Sequence, residues 1–182
     1  MTTLNKAEKL QAQVHKALEA RAAAALSVDN TSLHDKFMTE KKMFKIEYAQ
    51  VMLDNSIDAK FVNNIAIYAM QKVRKILNAV HTKSTNKLDK YTSAILSNAQ
   101  TRKNAIDNKQ QNASLASSIE LETMKAKDVR LHKAVSTAST QSSSTRKALQ
   151  ALKIATYDSE NKTLNFQTES AIFKALTEKK TK

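Results

Sequence analysis

Apolar positions recur at steps of three and four through most of this chain. The strongest run is residues 61–80, FVNNIAIYAMQKVRKILNAV, where Val62, Ile65, Ala69, Val73, Ile76 and Val80 form one narrow helical stripe, widened by Phe61 and Leu77. A stripe of this kind has to be buried, so the pattern predicts a central helix continuing to about residue 81. Before it, Leu4, Ala7, Val14, Leu18 and Ala22 predict a first helix over 4–26, whose small residues in RAAAAL allow a neighbour to approach closely. A turn at SVDNTS follows, with Ser32 and Asp35 spaced as a capping box. A second helix is expected over 33–53, with Leu33, Phe37, Phe44, Tyr48 and Val51 on one side and Met43, Ile46 and Leu53 elsewhere on the wheel. A helix apolar on more than one side is either central in a bundle or covered by a second copy, which makes Met43, Ile46 and Leu53 a candidate oligomer contact.

Past the turn HTKSTN, a fourth helix carries Leu88, Tyr91, Ile95, Ala99 and Ile106 in register. The polar run at 107–114 is either part of one long helix or a break. Leu121, Met124, Leu131 and Val135 restore a stripe from residue 118, with Ser117 and Glu120 at capping-box spacing. The hydroxyl-rich run STASTQSSST, 136–145, is not expected to be helical throughout, because its side chains compete for the backbone. After a short helix in RKALQALKI, β-prone pieces near 154–157 and 163–166 flank polar turn formers and are expected to be the only β-structure. A closing helix is expected near 169–178. The pattern predicts an all-α or nearly all-α multi-helix bundle: a helical, oligomerising body over 1–113 and a helical C-terminal lobe over 114–182 with one hairpin.

Composition sharpens this picture. The 182 residues contain no glycine, proline or cysteine, and 41% are hydrophobic. Nothing interrupts helices by loss of an amide donor, tight turns must use Ser, Asn and Asp, and a sizeable core can form. Glycine-rich phosphate loops, dinucleotide fingerprints and nucleophile elbows cannot be written without glycine, and disulfides and cysteine-based zinc sites are excluded. His15, His34, His81 and His132 are scattered, with no second histidine at helical spacing. Asp54 and Asp58 read as capping or solvated carboxylates. Neither catalysis, a metal, a cofactor nor a small-molecule substrate is therefore expected. The opening MTTLNKAEKLQAQ is charged where a signal peptide is apolar, and the uncharged stretch 61–71 is too short for a bilayer. A cytoplasmic or virion-associated protein without membrane contact is expected.

The net charge of +13 is unevenly spread. Residues 1–56 hold 8 Lys/Arg against 7 Asp/Glu, residues 57–113 hold 10 against 3, and residues 114–182 hold 12 against 7. Tyr68, Lys72 and Lys75 line one flank of the central stripe, and Lys83, Lys87, Lys90, Arg102 and Lys103 follow, with Asp89 alone opposing the charges within 72–103. Such a run suits a polyanion, whereas isolated lysines beside an apolar stripe more often snorkel.

The segment AKDVRLHKAVSTASTQSSSTRKALQAL, residues 126–152, is similar in pattern to a helix-turn-helix, and with the hairpin after it resembles a winged helix. The resemblance implies a recognition helix beginning at Ser143, Ser144, Thr145, Arg146 and Lys147, which would reach phosphates and base edges. The same residues also read as an ordinary capped helix start. The sequence thus points to a non-enzymatic, oligomeric helical protein binding nucleic acid, DNA ahead of RNA. The alternative is a structural or assembly protein, such as a virion, scaffold or adaptor component, whose basic surface meets an acidic protein.

Overall fold

The computed structural model describes residues 5–109, 116–118 and 135–177. The fold is built mostly of helices. Helix α1 (Lys6–Leu26) starts with a capping box: Asn5 accepts from the Glu8 amide at 2.9 Å and Glu8 accepts from the Asn5 amide at 2.7 Å. Its buried side is Ala7, Leu10, Val14, Leu18, Ala22 and Ala25, the stripe its sequence predicts.

Helix α2 (Thr31–Met43) runs back along α1. Its cap is Asn30, which accepts from the Leu33 amide at 3.0 Å, in place of the expected Ser32 and Asp35 pair. The single helix expected over 33–53 is broken at Phe44, which is extended (φ −83°, ψ 107°), and α3 (Ile46–Asp54) follows. Two side chains of α1 stabilise the break, since the Phe44 carbonyl accepts from Gln11 Nε2 at 3.0 Å and lies 3.0 Å from His15 Nε2. Phe44 itself is driven into the core at 1% exposure. Ile46 and Leu53, expected on a free apolar face, pack against the core, whereas Met43 is exposed.

The central helix also starts later than its pattern suggests. A 3₁₀ turn (Lys60–Asn63) precedes α4 (Ile67–Thr82). Arg21 of α1 donates to the carbonyls of Val62 (3.0 Å) and Ile65, acceptors that a continuous helix would have used internally. Helix α4 then buries Ala69, Met70, Val73, Ile76, Leu77 and Ala79 and packs on α2 and α3. A second 3₁₀ turn (Thr85–Lys87) leads into α5 (Lys90–Asp107), capped by Asp89.

Strand β1 (Ala116–Ser118), helix α6 (Val135–Ala151), strands β2 (Ala155–Asp158) and β3 (Thr163–Phe166) and helix α7 (Ala171–Thr177) complete the described chain. The expected hairpin is present, with Tyr157 opposite Leu164, but it is not the only β-structure. Strand β1 pairs antiparallel to β3, giving a three-stranded sheet of order β1-β3-β2. The stripe expected over 121–131, Glu120 of its capping box and His132 lie outside the described residues, as does the basic tail, while Ser117, the other member of that box, is in strand β1.

The largest departure from expectation is α6, which is helical through the hydroxyl-rich run. Packing against α4 and α5 overrides weak propensity: Ser144, Thr145, Ala148, Leu149 and Leu152 are buried, and small side chains allow close approach. The Ser144 hydroxyl donates back to the Gln141 carbonyl at 3.1 Å, which satisfies it inside the helix. The turn required by the helix-turn-helix resemblance is therefore absent at 136–142. One continuous cluster of buried apolar residues extends from Ala7 on α1 to Leu176 on α7, joining the helical body to the C-terminal elements.

Candidate nucleic-acid interface

On α4, Tyr68, Gln71, Lys72 and Lys75 follow steps of three and four, so they share one side of the helix, next to the buried stripe. The first turn of α5 brings Asp89, Lys90 and Tyr91 alongside, and α6 brings Gln141 and Ser144. Together they line an open notch of about 250 Å³.

An ion pair forms its floor. Lys72 Nζ donates to Asp89 Oδ1 at 2.8 Å, and the same carboxylate caps α5, accepting from the Thr92 amide at 3.2 Å and the Thr92 hydroxyl at 2.6 Å. Lys72 is only 6% exposed and its ammonium lies 5.6 Å from the Tyr91 ring centre. Burial pulls the Lys72 pKa below its ordinary value, with Asp89 offsetting this in part and Lys75 adding to it. For Asp89, burial works upward, but the charge and hydrogen bond of Lys72 and the two Thr92 bonds outweigh it and hold the carboxyl below its ordinary value. Lys72 is therefore a structural cation committed to Asp89, which corrects its expected role in direct phosphate contact.

The rim is different. Lys75 is half-buried and Lys90 is exposed, and neither has an ion-pair partner among the described residues. Lys83 takes the left-handed position that ends α4 (φ 52°), and Lys87 closes the second 3₁₀ turn; both are exposed and likewise without an ion-pair partner there. Tyr68 is 49% exposed, with Lys36 Nζ donating to its hydroxyl at 3.2 Å and lying 5.2 Å from the ring centre. Lys75 and Lys90 thus line the notch with the exposed ring of Tyr68, while Lys83 and Lys87 stand on the connection from α4 to α5.

The remaining candidates separate from these four lysines. Arg102 and Lys103 lie twelve and thirteen residues beyond Lys90 on α5, about 18–20 Å along the axis. There Arg102 covers the Phe166 ring at 5.8 Å and Lys103 pairs with Asp107 at 2.7 Å. Ser144 and Thr145 are buried in mid-helix, and Arg146 lies 4.2 Å from the Tyr157 ring centre. None of these three can lead a recognition helix into a groove, since they do not stand at a helix start; of that group Lys147 alone is exposed. Sequence reasoning missed Gln71, Tyr91 and Gln141 as lining residues, and took Asp89 only as an opposing charge. The signal for Asp89 was present: a carboxylate before KYT, three residues from a threonine, reads as an N-cap.

Among the described residues no group of His, Asp and Glu could hold a metal ion, and no helix is long and apolar enough to cross a membrane. No protein-family model, curated protein or solved structure matches the chain.

Proposed function

We propose that this protein binds nucleic acid without catalysing a reaction on it, through the lysines at the corner between α4 and α5. The observation that supports this reading is that Lys75 and Lys90 line an open notch and Lys83 and Lys87 stand on the connection between its two helices, with no acidic side chain among the described residues paired to any of the four. The one carboxylate in the notch, Asp89, is already committed to Lys72. Lysines left in this state can neutralise phosphates and so release the cations condensed along a nucleic acid, and that release drives association.

The test is affinity for an unrelated set of DNA fragments across a salt series. Replacing Lys75, Lys83, Lys87 and Lys90 together with glutamine is expected to weaken binding to all of them and to lower the slope of log affinity against log salt by up to about four, roughly one for each phosphate that is no longer neutralised. Replacing Arg102 and Lys103 instead should leave the slope nearly unchanged. A slope indifferent to the four lysines, with binding of a polyglutamate chain as tight as that of DNA, would replace this reading with that of an assembly protein meeting an acidic partner.

A further inference from the structure

Deepening the phosphate-binding reading and resting on it, we infer that the notch takes a single-stranded segment of nucleic acid, with one base against Tyr68 and the adjoining phosphates on Lys75 and Lys90. Two observations point to a single strand. The notch volume of about 250 Å³ falls just under the roughly 300–1,000 Å³ of pockets for drug-sized ligands, a scale suited to one nucleotide unit. Tyr68 is the one aromatic side chain among the described residues that is both large and half exposed, and it stands inside a lysine rim. An exposed ring in a positive groove is a stacking platform for an unpaired base, whereas a duplex keeps its base faces stacked internally and offers only phosphates.

The spacing also fits. Tyr68 and Lys75 are two turns apart on one side of α4, about 10 Å along the axis, so a base on the ring leaves a neighbouring phosphate within reach of the ammonium. Gln71 and Gln141 lie between and opposite them with amide groups that donate and accept, suited to a base edge of any identity. Lys36, whose ammonium lies 5.2 Å from the Tyr68 ring centre, adds a cation beside the ring. The buried Lys72–Asp89 pair has a positioning role: by capping α5 it fixes the direction in which Lys90, the next residue, leaves the helix start.

The experiment compares fluorescein-labelled oligodeoxyuridylate, oligouridylate and a DNA duplex of equal length, by anisotropy at matched salt, for the wild type and for Tyr68→Ala and Tyr68→Phe. Single strands are expected to bind more tightly than the duplex. Tyr68→Ala should lower single-strand affinity by about 5- to 160-fold, the range for losing one stacked base, with the salt slope and duplex affinity unchanged. Tyr68→Phe, which keeps the ring and drops the hydroxyl, should retain most of the affinity, which a purely structural role of the Lys36 hydrogen bond would not predict. A response in either single-strand arm supports the inference, and a response in one alone identifies the sugar. Equal loss on duplex and single strands, or no loss in Tyr68→Ala, overturns it while leaving the phosphate reading intact if the four-lysine variant still lowers the slope. Absence of binding to all three ligands overturns both.

Discussion

Two buried ion pairs hold this basic chain together at the level of single residues, and they behave differently. Glu40 of α2 accepts two hydrogen bonds from Arg74 of α4, at 2.7 and 3.1 Å, in the planar geometry a guanidinium favours. Lys72 and Asp89 make a single-point contact in which the carboxylate also caps a helix. Breaking such a pair from one side leaves a buried charge behind, so Asp89→Asn is expected to cost about 3–5 kcal/mol in denaturant melts. The pH dependence follows from the depressed pKa of Asp89. Its contribution is complete above the ordinary aspartate value near 4 and is lost as the pH falls through the lower value it has in the fold. Wild-type stability should therefore drop more steeply between about pH 5 and pH 2 than that of Asp89→Asn. Parallel acid limbs for the two proteins would show that the pair adds nothing to folding. Neither pair was legible in the sequence, because their members lie 17 and 34 positions apart and no helical period joins such distances.

Among elements, the absence of glycine has a consequence that composition alone did not reveal. Four helices end in the same way, with a residue in the left-handed region at Asp29, Ser56, Lys83 and Lys153 (φ between 52° and 55°). In each, the next amide reaches back five residues: Asn30 to Ala25, Ile57 to Met52, Ser84 to Ala79 and Ile154 to Leu149, at 2.9–3.0 Å. This is the helix-ending motif in which glycine is usually found. The sequence suggested turns built from Ser, Asn and Asp, but two of the four positions are lysines, whose long side chains give no local signal for positive φ. A side chain there costs roughly 1–2 kcal/mol, and part of that relief is lost to glycine's freedom in the unfolded chain. Ser56→Gly, remote from the notch, should raise stability by about 0.5–1 kcal/mol in thermal or denaturant unfolding, and Ser56→Val should lower it. Loss of stability in Ser56→Gly would contradict a left-handed Ser56. The helices that periodicity predicted, α1, α4 and α5, are present; the breaks at Phe44 and before Ile67 were hidden because Gln11, His15 and Arg21, all from α1, take the carbonyls. Helix α6 was hidden for the converse reason, since burial against α4 holds a run of hydroxyl residues in a form they do not prefer alone.

For the molecule as a whole, the surplus of positive charge sets a tension between folding and the proposed binding. The row of Tyr68, Lys72 and Lys75 was readable from spacing, and so was the charge of the segment that follows; which lysine is spent on the core and which faces solvent depended on Asp89, and only the packed structure decides that. Four lysines on α4, on the connection after it and at the start of α5 have no ion-pair partner among the described residues, and each is repelled by the rest of a chain of net charge +13. If they are held for an external polyanion, they should weaken the unliganded fold. Replacing Lys75, Lys83, Lys87 and Lys90 with glutamine is expected to raise stability at low salt by on the order of 1 kcal/mol, or about 2–4 °C in the thermal midpoint for a chain of this size. Added salt screens the repulsion, so the wild-type midpoint should climb toward that of the variant as ionic strength approaches physiological values, where the screening length is about 8 Å. Scanning calorimetry of both proteins across a salt series decides the matter. A variant less stable than the wild type at low salt would mean that these lysines engage partners within the chain, and the corner would then be part of the fold's own electrostatics with no charge left over for phosphate.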